Sequence, residues 1–240
     1  MRERPVIAID GPSGAGKTTV SKRLAERTGL LRLDTGAMYR ACALAARRAG
    51  IPWSDAGALG PFCARLDLRF EGTGEAMRTL LSGEDMSDAI RTPEMSMGAS
   101  DVSRHAGVRE AMVALQRRMA GKGGVIAEGR DTTTVVFPDA DVKYFLDAVA
   151  AVRASRRYLE WGPEKGLSFE EVLADVIRRD VQDSTRDHSP LRVAKGAIYL
   201  DTTTRTVDEV IGEMLRSLPA EVRGRLPGGA GAGSPGMGKQ

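Results

Sequence analysis

The stretch Gly11-Pro-Ser-Gly-Ala-Gly16-Lys17-Thr18 restricts this chain more than any other feature of its sequence. It fits G-x-x-x-x-G-K-[ST], follows the strand-like run Val6–Ile9 and opens the helix-period segment Lys17–Arg27. In that setting successive backbone N–H groups curl around a phosphate, and glycines keep side chains out of the curve. The helix start adds partial positive charge. Gly11, Pro12, Ser13, Gly14, Ala15, Gly16, Lys17, Thr18 and Thr19 are therefore the expected ATP-binding residues. Lys17 would reach the β- and γ-phosphates, and the Thr18 hydroxyl would ligate Mg²⁺ brought by ATP.

Such a loop belongs on a parallel sheet. Four more short apolar runs, Leu30–Leu33, Val125–Ala127, Val142–Leu146 and Ile198–Leu200, read as buried strands. Each of the five strands is followed at once, or nearly so, by an acid: Asp10, Asp34, Glu128, Asp147 and Asp201. Helix-period segments such as Ala106–Met119 separate them. The alternation predicts an α/β fold, a three-layer P-loop core with a five-stranded parallel sheet. Ligands of such sheets bind beyond the carboxyl ends of the strands, where the five acids fall.

Two stretches depart from the alternation. Leu66–Phe70 alternates apolar and polar, Glu71–Glu75 is a turn and Met77–Leu81 follows, which predicts a hairpin and a small antiparallel sheet. Val149–Pro190 reads as a helical hairpin whose second arm opens on the capping box Ser168-Phe-Glu-Glu171. The expected division is a core of 1–34, 121–148 and 191–218, an insert of 35–120, a helical lid of 149–190 and a tail of 219–240. Within the tail, Arg223–Gln240 is Gly/Pro-rich without a period and is expected to be disordered. Cys42 and Cys63 show no metal or redox spacing and read as two reduced thiols. Met95, Met97 and Met112 read as core filler, and His105 and His188 have no catalytic setting.

Composition separates the reaction classes a P-loop allows. The chain has no Asn, so it lacks the Asn-Lys-x-Asp element of a GTP switch. Aromatic residues make up 5% and are scattered, against a nucleic-acid partner. No apolar run of 18 residues and no cleavable leader are visible, so a cytoplasmic protein without a membrane span is expected. Of the 35 cations 28 are Arg, whose fork matches phosphate oxygens in pairs. They gather in Asp34–Arg40, Glu128–Asp131, Arg153/Arg156/Arg157 and Arg178–Arg186, each at or beyond a strand end.

Those strings resemble bacterial cytidylate kinase. The matching pieces are Ile-Asp-Gly-Pro-Ser-Gly-Ala-Gly-Lys, Leu-Asp-Thr-Gly-Ala-Met-Tyr-Arg, Gly-Glu-Asp-Met-Ser-Asp-Ala-Ile-Arg-Thr, Gly-Arg-Asp with Val-Val-Phe-Pro-Asp-Ala-Asp, and Asp-Ser-Thr-Arg before Pro-Leu. The resemblance implies ATP-dependent, in-line phosphorylation of CMP and dCMP, with ATP and CMP/dCMP as partners, Mg²⁺ as cofactor and a monomer as the unit. It implies that Thr35, Arg40, Arg130 and Arg186 face the acceptor's phosphate or sugar, and that Ser100, Arg109 and Asp131 face cytosine. It also implies that Asp183 and Arg179 face the ribose, and that Arg153 and Arg157 serve from the lid. Lys17, Arg130, Arg153, Arg157 and Arg186 would then carry catalysis, with Asp34 touching Mg²⁺ through water. One departure stands out: the family usually has an aliphatic residue and then Gly after Gly-Arg-Asp, where this chain has Thr132-Thr133. A β-branched residue resists the positive φ that glycine allows.

The chemistry agrees with the lack of a catalytic His. A phosphate monoester has a second pKa of about 6, so the acceptor brings its own anionic oxygen and needs no general base. What the reaction needs is cancellation of charge between two polyphosphates. Two other readings remain: a UMP/CMP kinase of broader specificity, and, from a different class, an ATP-hydrolysing conformational protein acting on a macromolecule.

Overall fold

The computed structural model describes residues 2–72, 77–163 and 166–227. Along the chain, β1 (Val6–Asp10), α1 (Lys17–Thr28) and β2 (Leu31–Asp34) come first. An insertion follows: α2 (Thr35–Arg48), α3 (Ala56–Ala64), β3 (Leu68–Glu71), β4 (Arg78–Leu81), β5 (Glu84–Asp85), α4 (Pro93–Val102) and α5 (Ala106–Ala120). The chain then returns through β6 (Val125–Gly129), a π-helical turn (Thr132–Val136) and β7 (Val142–Asp147). The hairpin α6 (Ala150–Trp161) and α7 (Phe169–Thr185) precedes β8 (Ile198–Asp201), α8 (Val207–Ser217) and α9 (Ala220–Gly224).

Five strands lie parallel in the order β2-β6-β1-β7-β8. All five residues of β1 and of β6 are buried, because helices cover both faces of the central strands. On one face Val20, Leu24, Val210, Ile211 and Met214 pack against Ile7, Ile9, Tyr144 and Leu146. On the other, Met38, Ala41, Leu44 and Phe137 cover Val6, Leu33 and Ala127. Strands β3, β4 and β5 form the expected small antiparallel sheet. Residues 73–75 of its turn lie outside the described residues.

Local chemistry sets the helix ends that matter for the site. Gly16, left-handed at φ 86°, turns the chain into α1. Asp34 caps α2, its carboxylate accepting from the Ala37 N–H at 2.8 Å. Ser168 and Glu171 form the expected capping box on α7, and Thr206 and Glu209 form a second on α8.

Three expectations are corrected. Cys42 on α2 and Cys63 on α3 are not separate thiols: they form a disulfide with Cα atoms 6.3 Å apart, inside the core between those helices. Met97 is half exposed, whereas Met95 and Met112 are fully buried as expected. The tail is ordered for longer than its composition implies. Val222 is buried, Leu226 packs on the core, Arg225 pairs with Asp141, and Pro227 lies against Gly29. Residues 228–240 lie outside the described residues.

Candidate active site

A cleft of about 1200 Å³ opens above the carboxyl ends of β1, β2 and β6. Its floor is the loop after β1. A Cβ on Gly11 would lie 1.9 Å from the Leu146 carbonyl oxygen, and one on Gly14 would lie 2.8 Å from Arg153. Both positions also have positive φ, so the loop's path requires glycine on two counts. Ser13 through Thr19 line the cleft, while Gly11 and Pro12 do not. Lys17 is buried, and its ammonium donates to the Pro12 carbonyl at 2.7 Å. Burial pushes its pKa well below the ordinary lysine value; Arg130 and Arg157 push the same way, against Glu128 and Asp10. An incoming polyphosphate would favour the charged form.

Beside the loop, the Glu128 carboxylate draws donors from two elements, β2 and α1. It takes two N–H donors of Arg32, at 2.8 and 2.6 Å, and the Thr18 hydroxyl at 3.1 Å. Arg32 also pairs with Asp34, which Arg40 approaches at 3.4 Å. Burial alone would raise the Asp34 pKa, but Arg40, Arg32 and the Ala37 N–H outweigh it and hold it below the ordinary value. The Thr35 hydroxyl donates to the Glu128 carbonyl at 2.7 Å. Arg32 was missed from the sequence, although an Arg inside a strand run is the signal that could have found it.

The far end of the cleft is built of ion pairs. Arg109 pairs with Asp131, and Arg130 donates to Asp183 at 2.7 Å. Arg186 lies 3.9 Å from both carboxylates. Burial would raise the Asp183 pKa, but Arg130, Arg179 and Arg186 win and lower it. The Arg179 pKa falls to about 10, through burial first and then Arg130. Tyr39 lies under the Arg109 guanidinium, 5.7 Å from ring centroid to cation, and burial pushes its hydroxyl to about 12. Several enclosed polar atoms here have no hydrogen-bond partner within the protein: Arg40 Nε, Ser100 Oγ, Arg109 Nε and Arg179 Nε, while Arg186 Nη2 has only its 3.9 Å approach to Asp131. Buried polar groups are rarely left so.

Thr35, Arg40, Ser100, Arg109, Arg130, Asp131, Arg157, Arg179, Asp183 and Arg186 thus line the same cleft as the P-loop. Arg153 does not. Its guanidinium is buried, held by the carbonyls of Ala148 (2.7 Å) and Ser13 (3.1 Å) and by Asp180 (2.6 Å). It braces the loop from behind, so its expected place beside the phosphates is corrected. Arg156, which the sequence placed only on the same helix face, lines the cleft and donates to Gly14 and Thr202 carbonyls at 3.2 and 2.6 Å. His105 accepts no such role: its Nε2 lies 2.7 Å from the Trp53 carbonyl oxygen, outside the cleft lining. Trp53 itself donates to the Ala43 carbonyl and covers Gly98.

The loop after β6 also differs from expectation. Thr132 and Thr133 open the π-helical turn, and among described residues positive φ outside glycine occurs only at Ser82 and Ser189. Thr133 therefore bears no left-handed strain. Both threonines bond to Asp10, whose pKa burial raises, with Asp131 adding to the rise and the threonine donors opposing it.

A phosphate-cradling loop, a second cluster of arginines and carboxylates at the far end of one cleft, and a flanking helical hairpin define a P-loop kinase whose acceptor is itself a phosphate ester. Comparison with known proteins narrows the class. A sequence profile of the cytidylate kinases matches residues 7–220. A cytidylate kinase of Geobacter sp. strain M21 is 50% identical over 220 residues, covering 91% of this chain and 94% of that protein. One from Geobacter sulfurreducens is 48% identical, covering 93% and 96%. Among solved structures, an uncharacterized protein from Eubacterium ventriosum shares the fold at TM-score 0.52 and 11% identity, over 90% of this chain and 99% of that one. The chain belongs to the cytidylate kinase family and is a nucleoside monophosphate kinase.

Proposed function

We propose that the cleft moves the γ-phosphoryl group of ATP in line onto CMP or dCMP, forming CDP or dCDP. The observation that carries this reading is the cluster Arg109, Arg130, Asp131, Asp183 and Arg186 at the end of the cleft away from the P-loop, with donors left over. Arg40, Arg130 and Arg186 hold the acceptor phosphate near Thr35. Ser100, Arg109 and Asp131 read cytosine, and Arg179 with Asp183 takes the ribose. Residues 35–120 serve as the acceptor-binding insert and 149–190 as the lid.

Lys17 and Arg157 cancel charge on the phosphoryl group in flight, together with the loop amides and Arg130. The acceptor oxygen attacks as the anion it already is. Arg153 contributes through the loop it supports. The oxygen donors near Thr18, namely its hydroxyl, Glu128 and Asp34, suit a hard cation that keeps phosphate and water ligands. Mg²⁺ bound with ATP would be held by Thr18, with Asp34 through water, and would supply further charge neutralisation. We read the protein as a cytoplasmic monomer acting on small nucleotides, not on nucleic acid or membranes. No helix among the described residues is long and apolar enough to cross a membrane.

Steady-state ADP formation with ATP alone, then with each nucleoside monophosphate in turn, tests the proposal. Turnover should depend on CMP or dCMP, with UMP weaker. ADP formation with ATP alone at the same rate would instead support an ATP-hydrolysing protein.

A further inference from the structure

Asp10 ends β1 and stands directly before the P-loop, fully buried. No ion pair among the described residues includes it. Its charge is met instead by two consecutive threonines from the other side of the cleft floor. One carboxylate oxygen accepts from the Thr132 N–H at 2.8 Å and the Thr132 hydroxyl at 2.7 Å. The other accepts from the Thr133 N–H at 2.7 Å and the Thr133 hydroxyl at 2.5 Å. The amides are the first of the π-helical turn, where a helical segment has no acceptor of its own. Asp10 therefore caps from a neighbouring strand the turn that begins one residue after Asp131.

The same residues are pinned on their other side. A Cβ on Gly129 would lie 2.8 Å from the Thr132 methyl and 2.5 Å from the Thr35 hydroxyl, so the loop has no slack toward β6. A carboxylate tied by amides alone can swivel. Two hydroxyls added to the two amides put two bonds on each carboxylate oxygen, so a rotation of the turn strains four bonds instead of two. Hydrogen bonds to a charged group are also stronger than neutral ones.

We propose that Asp10 and the hydroxyls of Thr132 and Thr133 form a clamp that sets Asp131 in register with the P-loop, and that this register tunes the preference for cytosine over uracil. The inference rests on the base-reading role proposed above for Asp131. Asp10 touches neither nucleotide in this account; it is a positioning residue acting through the turn. Base discrimination is sensitive to such positioning, because a carboxylate must meet the cytosine amine within hydrogen-bond geometry.

The test is the ratio of kcat/KM for CMP to that for UMP, which does not depend on what fraction of a preparation is folded. Four proteins are compared with the wild type: Thr132→Val/Thr133→Val, Thr132→Ser/Thr133→Ser, Asp10→Asn and Asp131→Ala. The Val pair keeps shape and amides but removes both hydroxyls, and should narrow the ratio about three- to tenfold. Asp10→Asn, which sets an NH₂ against donors, should narrow it too. The Ser pair, with hydroxyls restored, should stay within about twofold of the wild type. A Val pair with the wild-type ratio, beside an Asp131→Ala that narrows it, overturns the clamp and leaves the base-reading role standing. A Ser pair that falls with the Val pair overturns it as well, since methyl packing would then carry the effect. An unchanged ratio in Asp131→Ala removes the base-reading role itself and the clamp's function with it. If the Val pair does not fold, the single Val variants are read by the same ratio.

Discussion

The two ends of the cleft are built by opposite means. The P-loop end is made of backbone, shaped by glycines at positive φ and braced by Arg153, and the loop's own lysine, Lys17, is turned onto the Pro12 carbonyl. The acceptor end is made of side chains from α2, α4, α5, the turn after β6, α7 and the segment that follows it, locked in mutual ion pairs. Backbone amides can be placed by a short contiguous sequence. A site of side chains needs the whole fold to bring it together, and it leaves donors without a hydrogen-bond partner at Ser100 Oγ, Arg40 Nε and Arg109 Nε. In the proposed function, the first end meets a feature common to all nucleoside triphosphates, and the second has the chemistry to tell acceptors apart.

If this contrast is right, damage at the two ends should differ in kind as well as in size. The largest effect belongs to the P-loop end. Lys17→Ala should stay folded, because the replaced ammonium is costly to bury, yet lose about 10²–10³ in kcat, the usual cost of removing a transition-state charge contact. Its CMP/UMP ratio should not move. Turnover within threefold of the wild type would take Lys17 out of the mechanism and break the contrast.

The acceptor end should lose selectivity as well as rate. Asp131→Ala is expected to lower kcat/KM for CMP by roughly 10- to 100-fold and to narrow the CMP/UMP ratio, as a base contact discriminates by about 1–3 kcal/mol. Equal loss for both substrates would show that Asp131 only anchors Arg109.

A region remote from both ends supplies the control. Removal of everything after Pro219 discards Val222, Leu226 and the Arg225–Asp141 pair. Losing that apolar burial costs about 2–3 kcal/mol, or roughly 5–10 °C in Tm for a chain of this size. Specific activity well below the melting range should be unchanged. Removal after Pro227 should have little effect on Tm, as the residues lost are mostly Gly and Pro. An unshifted Tm in the longer truncation would mean that α9 contributes nothing to the core.

The same contrast explains what was legible in the sequence. Each strand of the parallel sheet and the P-loop is a local pattern, readable within a dozen residues. The acceptor residues were reached through family resemblance, since Ser100, Arg109 and Asp183 carry no local signal and meet only through the insert and α7. Arg153 illustrates the limit: helical spacing put it on the face of Arg156 and Arg157, but spacing cannot tell a residue that faces the cleft from one facing the loop's underside. The disulfide was hidden because Cys42 and Cys63 lie 21 residues apart on two different helices. In the tail, a Gly/Pro-rich composition masked the few residues, Val222 and Leu226, that do pack.

The smallest predicted effect probes the unmatched donors directly. Ser100 lies in the last turn of α4, its hydroxyl closed off from solvent without a partner in the protein, whereas the Thr35 hydroxyl across the cleft is already bonded to the Glu128 carbonyl. A desolvated hydroxyl with no partner is a cost to the free protein, and Ala is also the better helix former. Ser100→Ala should therefore raise the Tm of the free enzyme by about 2–4 °C, the shift expected for roughly 1 kcal/mol. It should at the same time weaken CMP by about 2- to 12-fold, the loss of one hydrogen bond of about 0.5–1.5 kcal/mol. Thr35→Val should do the reverse in the free enzyme, lowering Tm, because it strips a bond already made. The measurement is thermal melting with and without saturating CMP, beside KM for CMP. Opposite signs for the two variants without ligand are what a site with donors held in reserve requires. A Ser100→Ala protein that melts lower than the wild type, or binds CMP equally well, would show that the acceptor end is as self-satisfied as the P-loop end.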